Sequence, residues 1–133
     1  MTRQKARLKN LGFCVAGIGF LMLLFMFFAT ASWIGYEVKE VCEEAMLKYE
    51  GDAVEALIGL LEDDAADYRA RNSAVWALGQ LGDARALPAV KKHFKGYEKG
   101  ARCDRGEELC QYELYKAVKL LEGGPNISAF VWR

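Results

Sequence analysis

The feature that most constrains this chain is an apolar segment from Leu11 to Ile34 that contains no charged residue. As a helix it would be about 36 Å long, enough to cross the roughly 30 Å hydrocarbon core of a bilayer. Four basic and no acidic residues precede it in residues 1–10, whereas Glu37 opens an acidic stretch after it. By the positive-inside rule, we predict a transmembrane helix at 11–34 in the cytoplasmic (inner) membrane, with a basic cytoplasmic tail and a periplasmic or otherwise extracytoplasmic C-terminal part.

A cleaved secretion signal is the alternative for the same segment. Ala29, Thr30 and Ala31 form the small–x–small pattern that signal peptidase reads. The apolar region of a signal is usually about 7 to 15 residues long, and this one is longer. Trp33 lies at its C-terminal end and Tyr36 just after it, where the interfacial aromatic residues of a membrane span lie. We therefore predict a retained single-pass anchor.

The part of the chain beyond the anchor, residues 36–133, is long enough for one small domain. It holds all 18 acidic residues but only 14 of the 18 basic residues, which leaves a net charge of about −4. Such a charge disfavours contact with the polyanionic backbone of nucleic acid. We therefore expect protein partners and no nucleic-acid partner.

The four cysteines fall into three settings. Cys14 lies in the apolar segment, where a thiol behaves as a small apolar group. Cys103 and Cys110 flank a short polar loop on the side predicted to be oxidising, which predicts a disulfide between them. Cys42 leaves three alternatives open: a buried inert thiol, an exchange partner for the other two, or a bond to another protein.

Apolar residues recur at intervals of three and four beyond the anchor, which predicts helices and no strand. Gly35 is the only helix breaker before an amphipathic connecting helix at 35–50, so the anchor and the connector can run as one helix. Further helices are predicted at about 53–62, 66–81, 84–95 and 107–121. An apolar tail at 125–133 ends the chain.

Two of these helices follow the same tripeptide. Gly51-Asp52-Ala53 recurs as Gly82-Asp83-Ala84, 31 residues later, and Ala-Leu follows in both copies. A repeat of this length is typical of stacked helix hairpins.

The stretch from Arg71 to Pro88, RNSAVWALGQLGDARALP, resembles the HEAT-like repeat first named for phycobilisome lyases. The resemblance covers residues 52–94 well and the last helix loosely. It implies an all-α fold, in which the transmembrane helix is followed by a short α-solenoid of about two HEAT-like helix hairpins at 51–124. It also implies that the repeat positions stabilise the fold rather than catalyse a reaction: Arg71, Ala74, Ala77, Leu78, Gly82, Asp83, Leu87 and Pro88.

Catalysis has little support in the residues. His93 is the only histidine, and no Cys-x-x-Cys pair or phosphate-binding glycine loop is present. The resemblance implies lyase activity in one branch of the family only, and two hairpins are too few to form a cleft for a tetrapyrrole. We expect no enzyme activity, cofactor, metal site or small-molecule substrate.

A binding role is the remaining prediction. Trp76, Phe130 and Trp132 are candidate partner anchors, because tryptophan is enriched at binding hot spots, although each can also serve as an intramolecular lid. Gly12 and Ala16 are spaced to let another transmembrane helix approach closely. We predict an accessory or assembly subunit of a larger membrane complex, bound through its transmembrane helix and solenoid. The alternative is a free-standing tethered adaptor that recruits a soluble extracytoplasmic protein.

Overall fold

The computed structural model describes the backbone of residues 2–133 and the side chains of residues 9–133. The side chains of the predicted basic tail before Lys9 therefore lie outside the described residues. Within 2–133 the fold is all-α and contains no strand, which confirms the predicted fold class. The elements are α1 (Thr2–Met46), α2 (Ala53–Glu62), α3 (Tyr68–Leu81), a 3-10 turn (Ala84–Ala86), α4 (Leu87–His93), α5 (Gln111–Leu121) and α6 (Ala129–Trp132).

Helix α1 is one unbroken helix of 45 residues, and Gly35 does not interrupt it. Every side chain from Lys9 to Thr30 is exposed, so the rest of the protein covers none of this apolar surface. Burial begins at Ala31, whose exposed fraction is 1%. Among the described residues, α1 is the one helix that is long and apolar enough to cross a membrane, a criterion that a signal sequence also meets.

The C-terminal end of α1 is part of the folded domain. Val38, Cys42 and Ala45 recur at helical spacing on one face of α1 and are buried against α2 and α3. Helix α3 lies between α1 and α5, while α2 and α4 contact each other and pack onto this layer. The segment expected to be a connector therefore supplies a helix of the core.

The helix ends follow the local sequence. Asp52 accepts hydrogen bonds from the backbone N–H groups of Val54 and Glu55, and the Glu55 side chain accepts one from the Asp52 N–H, which forms a capping box at α2. Gly82 ends α3 with a φ of 64°, a left-handed conformation that favours glycine. Pro88 lies in the first turn of α4, where its missing N–H does no harm, and the 3-10 turn precedes it.

The last long helix begins at Gln111, four residues later than the predicted 107. Cys110 is bonded to Cys103, and the backbone groups of Arg105, Glu108 and Cys110 form hydrogen bonds with the Asn72 side chain. Because these groups bond outside the segment, they do not form helical hydrogen bonds. The tail beyond α5 folds back, and α6 packs against α1.

Candidate interaction surfaces

The repeated Gly-Asp-Ala tripeptides are joined by one arginine. Arg85 lies 2.8 Å from the Asp52 carboxylate through Nη1 and 2.9 Å from the Asp83 carboxylate through Nη2. Its guanidinium lowers the pKa of Asp83, and the pKa of Asp52 is lowered first by its backbone hydrogen bond from Glu55 and then by Arg85. The pKa of Arg85 is raised in return. The two N-caps thus share a counter-ion and hold neighbouring repeats in register.

The other repeat positions also make structural contacts. Arg71 is 4% exposed, donates from Nε to the Leu61 carbonyl at 2.9 Å and pairs with Asp64 at 3.0 Å. Because the guanidinium binds both the Leu61 carbonyl at the end of α2 and the Asp64 carboxylate, it holds α3 against α2. Ala74, Ala77 and Leu78 are fully buried, while Leu87 packs against the same core.

Asn72 is a buried polar side chain that the sequence analysis did not single out. It is fully buried in α3. The two hydrogens of its Nδ2 are shared among the carbonyls of Tyr68, Arg105 and Glu108 at 2.8–3.1 Å, and its Oδ1 accepts from the Cys110 N–H at 2.8 Å. The amide therefore fastens the cysteine loop to the repeat. The available signal in the sequence was an asparagine inside a predicted helix, at a position that the structure buries.

The cysteines divide as the sequence suggested. Cys103 and Cys110 form a disulfide, whereas Cys14 is exposed on α1 and Cys42 is buried, both as free thiols. Burial raises the pKa of the Cys42 thiol, with a smaller contribution from Glu43. Of the three alternatives for Cys42, the geometry corresponds to a buried thiol without a bond in the described residues.

The three aromatic anchor candidates have different settings. Trp76 and Trp132 are partly buried and pack against the core. Trp132 lies over Gly35 of α1, so closely that a Cβ built on Gly35 would be 2.6 Å from the Trp132 Cβ and Cγ. Phe130 is 91% exposed. Trp132 therefore lies as an intramolecular lid over α1. The Phe130 side chain is exposed and contacts little of the domain.

Gly12 and Ala16 lie on the exposed stretch of α1. A Cβ built on Gly12 would meet nothing within 4 Å. The small-residue face of the helix is therefore open along this stretch, as helix–helix packing requires.

A groove formed by α4, the loop after it and α5 is a surface that the sequence analysis did not predict. The ring centroids of Tyr97 and Tyr115 are 5.4 Å apart, and those of Tyr97 and Tyr112 are 5.1 Å apart. Lys119 lies 4.8 Å from the centre of the Tyr115 ring. Phe94, Tyr97, Tyr115 and Lys119 line a groove of about 550 Å³. Its edge also carries Lys91 and Glu122, which form an ion pair at 2.6 Å. The available signal in the sequence was the spacing of Tyr115 and Lys119, which are one helical turn apart on α5.

The chemistry of the remaining polar groups is limited. His93 is partly buried, and burial lowers its imidazole pKa, with the nearby Arg71 and Lys92 acting in the same direction. No group of three or more His, Cys, Asp or Glu side chains in residues 9–133 is placed to hold a metal ion.

The comparisons with known proteins give one match. Residues 37–101 match the family described as HEAT repeats. Neither the curated proteins nor the solved structures include a match to this chain. The matched residues begin inside α1 and extend past α4 into the loop, so they include the helix end that was expected to be only a connector. The segment 37–101 is therefore similar to HEAT repeats, and its helices form the matching helical architecture.

Proposed function

We propose that this protein is a membrane-anchored interaction module, an accessory or assembly subunit of a larger membrane complex. In this proposal, α1 crosses the cytoplasmic membrane with its N-terminus in the cytoplasm. The repeat domain lies on the extracytoplasmic side, where the Cys103–Cys110 disulfide is stable. Its role is binding rather than catalysis, as helical repeats commonly present extended binding surfaces.

The observation that carries the proposal is the continuity of α1. One helix has an exposed apolar surface from Leu11 to Thr30 and a buried face in the repeat core from Val38 to Ala45. Water would be an unfavourable environment for so much contiguous apolar surface, and lipid would be a favourable one. A partner bound to the repeats would therefore be held at a fixed distance from the bilayer.

Retention of the anchor is supported by the helix around the possible cleavage site. The backbone from Ala29 to Trp33 is regular helix, and Ala31 is buried where the domain begins. Gly35, one turn later, is covered by Trp132. Cleavage after Ala31 would remove a residue that the folded domain buries.

The proposal that the protein is not an enzyme is supported by the contacts that the polar repeat residues make. Arg71 bonds to a backbone carbonyl and to Asp64, and Asp52, Asp83 and Arg85 bond to one another. These side chains are occupied by structural contacts, which leaves them poorly suited to act on a substrate. The same contacts speak against a relationship in function to phycobilin lyases.

One observation favours the tethered-adaptor alternative. The groove formed by Phe94, Tyr97, Tyr115 and Lys119 combines aromatic walls with the Lys119 ammonium group, while Lys91 at its edge is paired with Glu122. No residue of α1 lines it. An aromatic-rich segment of a soluble protein with one acidic group opposite Lys119 would fit such a surface.

Native purification in a mild detergent, with mass spectrometry of the co-purifying proteins, tests the proposal. We expect wild-type protein to carry an integral membrane partner, and Gly12→Ile with Ala16→Ile to reduce its recovery. A loss of about 1.4 kcal/mol of packing energy corresponds to about tenfold in affinity. Cys14→Ile is the control, because Cys14 faces about 200° away from Gly12 at 3.6 residues per turn. Recovery of a lone monomer would contradict the subunit role, and salt-sensitive recovery of a soluble protein would favour the adaptor.

A further inference from the structure

The C-terminal tail docks at one level of α1. Trp132 covers Gly35, while α2 and α3 pack farther along the same helix, on Val38, Cys42 and Ala45. On its other side the tail is tied to α3, because the side chains of Asn126 and Arg133 donate to Gln80. Helix α6 is therefore the edge of the domain that lies nearest the exposed apolar stretch of α1.

The height of this edge follows from helix geometry. Gly35 comes directly after Ile34, the last residue of the uncharged segment. At 1.5 Å per residue, the α6 contact lies within about 5 Å of the end of that segment. The polar interfacial layer of a bilayer is about 5 to 8 Å deep on each side of the hydrocarbon core. On the proposed membrane anchoring, α6 thus lies at the depth of this layer.

The outer surface of the tail is apolar at this depth. Phe130 is 91% exposed and Ile127 is 66% exposed, and no acidic residue occurs in 123–133. On α1, the exposed side chains of Trp33 and Tyr36 lie at the same level. Next to Phe130, a shallow groove of about 500 Å³ is lined by Leu120, Pro125 and Ala129 among others. Large apolar and aromatic side chains of this kind are favoured at a membrane interface.

We infer that Ile127 and Phe130 enter the interfacial layer of the lipid bilayer and, with Trp33 and Tyr36, seat the repeat domain on the membrane. The inference rests on the proposed membrane anchoring and adds a second point of contact to it. We assign the exposed surface of Ile127 and Phe130 to lipid because it lies next to the exposed apolar stretch of α1. The two contacts together restrict tilting of the domain about α1.

Site-directed spin labelling in phosphatidylcholine–phosphatidylglycerol vesicles tests the inference. Single cysteines are placed at Ile127, Phe130, Leu23 and Leu47 in the full-length chain with Cys14→Ala, leaving Cys42 buried and the disulfide intact. The unsubstituted parent corrects for any labelling of Cys42. Leu47 is the matched control, because it is 86% exposed and apolar but lies just beyond the end of α1, about 18 Å from Gly35 along the helix axis. Collisions with oxygen report contact with lipid, and collisions with a water-soluble nickel chelate report contact with water.

We expect the labels at 127 and 130 to lose most of their collisions with the nickel chelate relative to the label at 47, and to gain collisions with oxygen. Because both side chains are exposed, their replacement removes no core contact, and circular dichroism checks the fold. If the label at 23 contacts lipid while those at 127 and 130 resemble the label at 47, the seating is wrong and the anchor stands. Phe130 would then be free for a protein partner. If the label at 23 also contacts water, both the anchor and the seating are overturned.

Discussion

At the scale of single residues, a few polar side chains hold the repeat in register. Arg85 links the caps Asp52 and Asp83, and Asn72 links α3 to the cysteine loop. The first group is exposed to solvent, and its ion pairs are accordingly weakened by salt. Asn72 is fully buried and has no access to water. Loss of its hydrogen bonds would therefore leave buried polar groups without a partner.

The cap carboxylates predict how stability depends on pH. Their pKa values in the folded state lie below the ordinary value of 3.8, so the stabilisation is complete above 3.8 and is lost as the pH falls through the folded-state values. We expect the melting temperature of the domain to fall below pH 3.8, and to fall less in the Asp52→Asn, Asp83→Asn variant. Asp67→Asn is the control, because Asp67 caps α3 without an ion pair in the described residues. Equal acid sensitivity in the wild type and the double variant would refute the role of the two cap carboxylates.

Replacement of Asn72 has a larger predicted effect. Asn72→Ala leaves the buried Cys110 N–H and the Glu108 carbonyl without their partners. We expect a loss of about 2 to 4 kcal/mol in the free energy of unfolding, measured by urea titration in detergent with tryptophan fluorescence. Reduction of the disulfide should also become faster. Ser73→Ala, whose hydroxyl bonds only within its own helix, should change stability by less than about 0.5 kcal/mol. Similar losses in both variants would contradict the fastening role.

At the scale of elements, the sequence was informative wherever local chemistry determines the ends. Helix α2 matches its predicted span because Asp52 and Glu55 cap it, and α3 ends where Gly82 requires it to end. The delayed start of α5 could not be predicted in this way. It depends on contacts with Asn72, which lies more than 30 residues away in the chain, and no periodicity within the loop reports them.

The surfaces also divide into features that local sequence predicts and features that depend on long-range contacts. The Cys103–Cys110 pairing followed from local spacing, whereas the lid position of Trp132 depends on how the tail returns to α1. A pattern of apolar residues shows that a side chain needs cover but not which element covers it. The groove around Tyr97 and Tyr115 likewise combines a loop with a helix.

The docking of α6 on α1 predicts a difference between two glycines of one helix. A methyl group on Gly35 would overlap Trp132, whereas one on Gly17 would meet nothing within 4 Å. Both Gly→Ala changes raise helix propensity by up to about 1 kcal/mol, so propensity cancels in the comparison. We expect Gly35→Ala to speed amide hydrogen exchange in residues 127–133 and Gly17→Ala to leave it unchanged. Unaltered protection of the tail in Gly35→Ala would mean that α6 does not depend on this contact.

At the scale of the whole molecule, the central feature is a single helix with two environments. The exposed stretch of α1 ends where the repeat core begins, and residue 37, the start of the HEAT-repeat match, lies just beyond this point. In the proposed function, the membrane span is therefore also the first helix of the repeat. Removal of the span would leave Val38, Cys42 and Ala45 on a short helix without its N-terminal continuation.

The fate of α1 in cells is the most direct test of this account. Membranes containing the C-terminally tagged protein are washed in alkaline carbonate, and the intact mass of the protein is then determined. The account predicts that the protein stays in the washed membranes and that its mass includes the whole of α1. A protein that begins at Ser32 and is released into the soluble fraction would contradict it.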